Sequence, residues 1–470
     1  MAFARCEREG VAQEAKRYPL SFTQEWFVTL DQGDDRGPFG RRYLIVSALR
    51  ITGPVNISRL QGALDDVAGR HELLRTLVIR DADAPYQQVY PPCQVPLEVR
   101  DLPLASGRQS GKSRDMIIQE LLLEAHAATI SACEVPLLRA LLCRFDDRDS
   151  TLFLTVHHSV CDGWSVQVIL SDLGAFYAAR RTGIPATLPD VKQYREYAEW
   201  QRASAASTAD DEALNYWAEK LHGAREFVLP NDHEHPERYS RPYSLHVFTI
   251  EADTMAAADA LATATRSTRF TVMLSAIYVL ANQITGATDL AVSAVTAGRS
   301  ELQFHNTMGM FLNVLPFRTQ IADCVSFREV VRKTRATFID AMAHELPASV
   351  LAEAFPEVIS SREDPRMSQF LVMQPPSQYG EMTLPIAEGA KEVDEVLLPE
   401  AESSDILGGT EWHLNIQPDG SLCGGVHFNL DEFEESTVEG WTAGLTRILA
   451  GAVRDPGQDW RQLYPGPRLR

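Results

Sequence analysis

The chain has 470 residues, 45% hydrophobic and 23% charged, with a formal net charge of −20. That length exceeds the roughly 250–300 residues at which one core divides, so two lobes are expected, and the acidity without any Lys/Arg run argues against nucleic acid. No apolar run approaches the ~20 residues of a membrane span, the amino terminus lacks a signal-like stretch, and seven scattered cysteines with no C-x-x-C pair fit reduced thiols in a cytoplasm and offer no zinc-ligand spacing.

Ser21-Phe22-Thr23-Gln24 has the S-x-x-Q form of a capping box and opens a short helix through Leu30. After a Gly/Asp/Arg loop at 31–42, Tyr43 to Ile51 reads as a strand. Asn56 caps a second helix, with Ile57, Leu60, Leu64, Val67 and Ala68 on one face. Residues 116–130 predict another helix. Leu138 to Phe145 and Thr151 to His158 are apolar runs joined by a polar turn, as in a hairpin. A helix follows at once, with Val166, Ile169, Leu170, Leu173, Phe176 and Tyr177 at helical spacing. Prolines and an Ala/Ser/Asp-rich stretch between 183 and 224 place the lobe boundary there. The expected division is an N-terminal lobe at 1–185, a linker at 186–225 and a C-terminal lobe at 226–470. In the second half, helices are expected at 271–285 and 327–345 and strands at 289–296, 310–318 and 369–374. Trp412–Gln417 and Leu422–Asn429 flank the turn Pro418-Asp419-Gly420-Ser421. The class is α+β, with mixed elements in both halves.

The chemistry concentrates in Thr155-Val156-His157-His158-Ser159-Val160-Cys161-Asp162-Gly163-Trp164-Ser165, where a buried strand gives way to a helix. Strand alternation puts Leu152, Leu154, Val156 and His158 on one face and Phe153, Thr155 and His157 on the other, so one histidine faces any given cleft. Asp162 can orient an imidazole or hold the loop, and Gly163 permits close backbone approach. A metal site competes poorly, because neighbouring strand histidines diverge and no third ligand is evident. Cys161 beside His158 could be a nucleophile, yet free cysteines are most often small buried hydrophobes. Trp164 reads more as core packing than as a substrate contact.

HHSVCDGWS matches the HHxxxDG signature of condensation domains in nonribosomal peptide synthetases. PLSFTQEWF at 19–27 resembles the opening motif of that family. RHELLRT at 70–76 is similar to its second motif, YREYAEWQ at 194–201 to its fourth, and MGMFLNVLPFR at 308–318, with Asn313 in the matching place, to its fifth. HELPASVLAEA at 344–354 and SREDPRMSQF at 361–370 are looser matches. The loop Asp31-Gln32-Gly33-Asp34 with Gly37-Pro38-Phe39-Gly40 resembles the free-standing, ester-forming enzymes of enediyne assembly.

The resemblance implies two chloramphenicol acetyltransferase-like lobes forming a V-shaped pseudodimer with a central substrate tunnel. His158 would be the central catalytic residue, with His157, Asp162 and Gly163 in the same catalytic loop. Asp162 would pair structurally with Arg299 of Thr296-Ala297-Gly298-Arg299. Trp164, Ser165 and Asn313 would contact substrate. No bound cofactor and no metal is expected. An acyl or peptidyl carrier protein would supply the phosphopantetheine thioester, and a small-molecule or carrier-bound amine or alcohol would accept the acyl group. A thioester is already activated, so orientation and proton handling suffice, and the Gly163 N–H is a candidate oxyanion donor. No adenylation motif appears, and Leu407-Gly408-Gly409-Thr410 lacks the serine of a phosphopantetheine attachment site. A free-standing enzyme of natural-product biosynthesis in the cytoplasm is the resulting expectation. The alternatives are an acyl-CoA-dependent acyltransferase, whose DFGWG-like motif is not found, and a non-catalytic carrier-binding scaffold.

Overall fold

The computed structural model describes residues 16–35, 37–102, 113–204, 208–224, 226–234, 243–358, 370–373, 386–392, 409–417 and 419–463. The 361–369 part of SREDPRMSQF and residues 407–408 lie outside them.

The first half begins with β1 (Arg17–Tyr18) and α1 (Phe22–Thr29). The Ser21 hydroxyl accepts the Gln24 N–H, and Gln24 Oε1 accepts the Ser21 N–H, each at 3.1 Å. That reciprocity is the expected capping box. Then follow β2 (Leu44–Thr52), α2 (Ile57–Arg70), β3 (Thr76–Ile79), β4 (Tyr86–Val89), β5 (Leu97–Asp101), α3 (Arg114–His126), β6 (Leu138–Asp146), β7 (Asp149–His157) and α4 (Gly163–Thr182). Helix α3 starts two residues before the expected 116 because Ser113 caps it, accepting the Met116 N–H at 3.2 Å. β2, β7, β6 and β5 form one sheet; β6 and β5 run parallel and the other pairs antiparallel. Its strands are apolar on both sides because both are covered. Leu49, Ile51, Leu152, Leu154 and Val156 pack against α2 and α4, while Val46, Ala48, Cys143 and Phe153 pack against α3.

α5 (Tyr194–Ser204) and α6 (Thr208–Leu221) bridge to the second half: β8 (Tyr243–Ile250), α7 (Ala252–Thr265), α8 (Arg269–Thr285), β9 (Asp289–Thr296), β10 (Asn313–Gln320), α9 (Phe327–Ala343), α10 (Ala348–Ala354), β11 (Phe370–Met373), β12 (Gly389–Glu392), β13 (Thr410–Ile416), β14 (Leu422–Asn429) and α11 (Glu435–Arg454). Six of these strands make a second sheet in the order β10-β9-β11-β13-β14-β8. One face carries Val292, Ala294, Leu315, Phe317, Trp412, Leu414, Val426 and Phe428, which join α7, α8, α9 and α11 in the largest core.

Two segments numbered in the second half pack with the first, which a simple division at 186–225 does not anticipate. β12 pairs antiparallel with β2, Gly389 opposite Thr52 and Glu392 opposite Leu49, and so becomes the edge of the first sheet. Phe304, Met308 and Phe311 belong to the first-half core, beside Tyr194 and Tyr197. The strand expected from 310 therefore begins only at Asn313. Backbone groups just before it bond elsewhere: Met310 O accepts from the Tyr194 hydroxyl at 2.6 Å, and the Phe311 N–H donates to Asp162 at 3.2 Å.

Candidate active site

His157 is the last residue of β7 and fully buried. Its Nε2 lies 3.1 Å from Gly40 O, and a carbonyl only accepts, so Nε2 carries the hydrogen. Its Nδ1 then accepts from the Ser159 N–H at 3.2 Å and the Ser159 hydroxyl at 2.8 Å. Both ring nitrogens are occupied. Burial pushes the pKa of this imidazole down to about 4. Since the unfolded chain protonates it near 6.5, its neutral burial contributes stability above that pH that is lost as pH falls toward 4. At pH 5 the loss is about 2 kcal/mol. Urea unfolding at pH 7.5 and pH 5 should reveal it, with a smaller difference in His157→Gln.

At His158 the strand alternation ends, because this residue opens a short 3₁₀ turn, His158–Val160. The His158 N–H donates to Tyr43 O at 2.7 Å, and its ring stacks on the Tyr43 ring, centroids 4.5 Å apart and planes at 11°. Nδ1 lies 2.7 Å from Cys161 O, so Nδ1 bears the hydrogen and Nε2 presents its lone pair. Burial lowers the proton affinity of the ring. The Cys161 carbonyl bond and the Asp162 and Glu411 carboxylates act in the opposite direction. The outcome is a neutral imidazole, half-buried, held from behind on a rigid strand end. Cys161 cannot serve as a nucleophile beside it: burial, reinforced by Asp162, raises its thiol well above the usual range.

Asp162 caps α4, its Oδ1 accepting the Ser165 N–H at 2.7 Å. Arg299 Nη2 sits 3.0 and 3.2 Å from the two carboxylate oxygens, and the Phe311 N–H approaches Oδ2 at 3.2 Å. Arg299 Nη1 donates to Phe304 O at 3.1 Å and Thr307 O at 2.7 Å, with the guanidinium carbon 3.9 Å from the Phe311 ring centroid. The carboxylate therefore locks the loop to the 299–311 segment. A direct catalytic part for Asp162 or His157 does not fit, since both spend their polar atoms on the fold.

Ser165 and Asn313 likewise spend their polar atoms on other parts of the protein. The buried Ser165 hydroxyl lies 2.7 Å from Asp162 Oδ1 and 2.9 Å from both Gly309 N and Gly309 O. Asn313 Nδ2 donates to Glu345 Oε1 at 3.0 Å and Leu346 O at 2.8 Å, while its Oδ1 accepts the Ala348 N–H at 2.8 Å. Trp164 is half-buried and anchors His305, donating Nε1–H to His305 O at 2.9 Å. Gly163 is exposed as the first residue of α4, where a helix leaves its N–H without an intrahelical acceptor. Sequence reasoning missed Tyr43, whose stacking on His158 is purely tertiary. On sequence alone Tyr43 reads only as the start of a strand.

The loop holding Arg299 needs glycine beside it. Gly298 adopts φ +58°, and a Cβ there would sit 1.8 Å from Phe311 O. Gly298→Ala should therefore displace the Arg299 loop and lower stability by about 1–3 kcal/mol or more. The thermal midpoint of the variant tests this.

Among the described residues, no His/Cys/Asp/Glu group is arranged to hold a metal ion, and no helix is long and apolar enough to cross a membrane.

Comparison with known proteins finds a match to the condensation-domain family model over residues 14–464. The chain is similar to phosphinothricin tripeptide synthetase PhsC of Streptomyces viridochromogenes, 28% identical over 93% of the chain. It is also similar to chondramide synthase cmdD of Chondromyces crocatus, 30% identical over 87% of the chain. It spans only 39% and 10% of those relatives' lengths. Among solved structures it resembles the SgcC5 protein of Streptomyces globisporus, crystallised with (R)-(−)-1-(2-naphthyl)-1,2-ethanediol and sucrose. That likeness has a TM-score of 0.83 and 35% identity, covering 94% of this chain and 100% of that one. The first condensation domain of the calcium-dependent antibiotic synthetase shares the fold, with a TM-score of 0.76 at 20% identity over 96% of this chain and 99% of that one.

Proposed function

The chain belongs to the condensation-domain family, with its chloramphenicol acetyltransferase-like α+β fold, and from that premise we propose that it moves an acyl group from a carrier-protein phosphopantetheine thioester to an alcohol or amine in natural-product biosynthesis. The observation that carries this reading is the tautomer of His158. With Nδ1–H committed to Cys161 O, a neutral Nε2 is held ready as a base.

The acceptor hydroxyl attacks the thioester carbonyl carbon while Nε2 takes its proton. The carbonyl becomes an oxyanion, for which the Gly163 N–H at the start of α4 is the candidate donor. Collapse breaks the C–S bond, and the departing thiolate takes the proton from the imidazolium. The atoms balance with no further reagent, and the carrier, with its arm, acts as a substrate. His157, Asp162, Arg299 and Ser165 hold the loop in place. An alcohol acceptor, hence an ester, is the preferred branch: the similar SgcC5 protein was crystallised with a diol, and an un-ionised hydroxyl needs a base more than a neutral amine does.

The test is intact-protein mass spectrometry of acyl-loaded carrier proteins incubated with pooled alcohols and amines, beside the matching CoA thioesters. Acceptor-dependent loss of the acyl mass from a carrier supports the proposal. Turnover from CoA alone would make the protein an acyl-CoA transferase, and no turnover from any donor would leave a binding scaffold.

A further inference from the structure

The segment between α1 and β2, residues 30–43, carries Asp31-Gln32-Gly33-Asp34 and Gly37-Pro38-Phe39-Gly40. A glycine-rich stretch loses much conformational freedom when it takes one shape, so side-chain anchors have to hold it. Its far end meets both histidines of the catalytic loop. Gly40 O accepts the His157 Nε2–H at 3.1 Å and the Tyr43 N–H at 2.9 Å. Tyr43 O accepts the His158 N–H at 2.7 Å, and the Tyr43 ring stacks on the His158 ring. The position of residues 40–43 therefore decides how both imidazoles point.

Arg80 reaches this segment from the first position after β3, which belongs to the small sheet β1-β4-β3. Its guanidinium touches the segment at three points. Nη1 donates to Asp31 Oδ1 at 2.7 Å, Nη2 lies 3.4 Å from Asp34 Oδ1, and the guanidinium carbon stands 4.6 Å from the Phe39 ring centroid. Nη2 also lies 3.6 Å from Cys133 Sγ. The side chains of Arg80 and Asp31 are 15% and 12% exposed, so salt screens this pair less than one on the open surface. The two aspartates pass the constraint on. Asp31 Oδ1 accepts the Gly33 N–H at 2.9 Å, and Asp34 O accepts the Arg41 N–H at 2.9 Å. Phe39 is buried with Phe27, Ala132 and Met310, and Tyr43 packs against the same cluster.

We propose that Arg80 is a positioning residue for acyl transfer: it clamps Asp31, Asp34 and Phe39 together, and through Gly40 and Tyr43 it orients His157 and His158. The consequence for turnover rests on the acyl-transfer reading, whereas the orientation of the rings does not. The clamp uses both the forked edge of the guanidinium and its flat face, a combination that no other side chain supplies. A lysine would keep one ion pair and lose the rest of the grip.

Two measurements test this. In the first, kcat and KM are compared for wild type, Arg80→Ala, Arg80→Lys and Arg50→Ala with whichever carrier donor and acceptor turn over. Arg50→Ala is the control. It also breaks two carboxylate pairs in the same half, but at the part of β2 opposite Thr151, six residues along the strand from the Leu44–His157 pair. Arg80→Ala should lower kcat by about 10- to 100-fold, the effect of a displacement of about 1 Å. Both KM values should stay nearly unchanged. Arg80→Lys should recover a minor part of kcat, and Arg50→Ala should turn over like wild type. If Arg80→Ala fails to fold, Arg80→Lys carries the test, with kcat still below wild type. An unchanged kcat in the Arg80 variants, or an equal loss in Arg50→Ala, overturns the proposal.

The second measurement needs no substrate. NMR spectra of isotope-labelled histidines are recorded, with His157 and His158 assigned from the signals missing in His157→Gln and His158→Gln. Wild type should show the His157 hydrogen on Nε2 and His158 ring protons shifted by the stacked Tyr43 ring. Arg80→Ala should move the His158 protons toward their unstacked positions and mix the two His157 tautomers. Arg80→Lys should do so less, and Arg50→Ala not at all. Unmoved rings in a folded Arg80→Ala mean that the segment keeps its place without the guanidinium, and the proposal fails. A wild type inactive with every donor sinks the acyl-transfer reading instead, while the spectra still decide whether Arg80 orients the rings.

Discussion

Replacing His158 with alanine should reduce kcat/KM for acyl transfer by about 10²–10⁴-fold, the contribution of a positioned general base. The fold should survive, because the strand bond from the His158 N–H to Tyr43 O belongs to the backbone. What is lost is a neutral Nε2 supported by the Nδ1–H bond to Cys161 O. The pH dependence separates a base from a mere spacer. Burial depresses the imidazole pKa, so wild-type activity should persist as pH falls through the ordinary value near 6.5 and decline only at lower pH, where the ring protonates. The residual activity of His158→Ala should lack that acid limb. A variant with near wild-type kcat and a raised acceptor KM would instead assign the ring to acceptor positioning.

The largest effect on stability is expected at Arg299. Its side chain is 1% exposed, and that of Asp162 is 10%. Arg299→Ala strands a buried carboxylate and orphans the carbonyls of Phe304 and Thr307, at a cost of about 3–5 kcal/mol. Arg299→Lys should rescue little. One ammonium cannot reproduce a planar group that bonds Asp162 through Nη2 and two carbonyls through Nη1. Urea unfolding of Arg299→Ala, Asp162→Ala and the double variant supplies the check. The double variant should be much less destabilised than the two singles combined, because the second substitution removes the charge that the first left unpaired. Additive losses would mean that the two side chains act independently.

Local signals carried most of the secondary structure. The Ser21 capping box, the Asn56 cap, the β6–β7 hairpin and the strands at 289–296 and 422–429 lie where periodicity and turn chemistry put them. Polar residues with tertiary duties were harder to read. Asn313 and Ser165 suggest substrate contacts on paper, but their partners at Glu345, Leu346, Ala348 and Gly309 come from segments 32 to 144 positions away. The geometric support of His158 by Tyr43 is a cross-strand fact with no one-dimensional signature. β12, Gly-Ala-Lys-Glu, has neither the β-branched content nor the alternation by which a strand is recognised. Its pairing comes entirely from what lies beside it.

That same strand constrains how the molecule can be made. Until Gly389–Glu392 arrives, the β2 segment Leu-Ile-Val-Ser-Ala-Leu-Arg-Ile-Thr offers an open row of backbone donors and acceptors on one side. The ribosome reaches its partner about 340 residues later, roughly 20–70 s at ordinary elongation speeds. For that interval the nascent first half is a sticky template for any extended chain nearby. A gene split between α4 and α5 would leave β2 without that partner in the first fragment. The two halves are thus better regarded as one co-operative folding unit than as modules to be exchanged between α4 and α5.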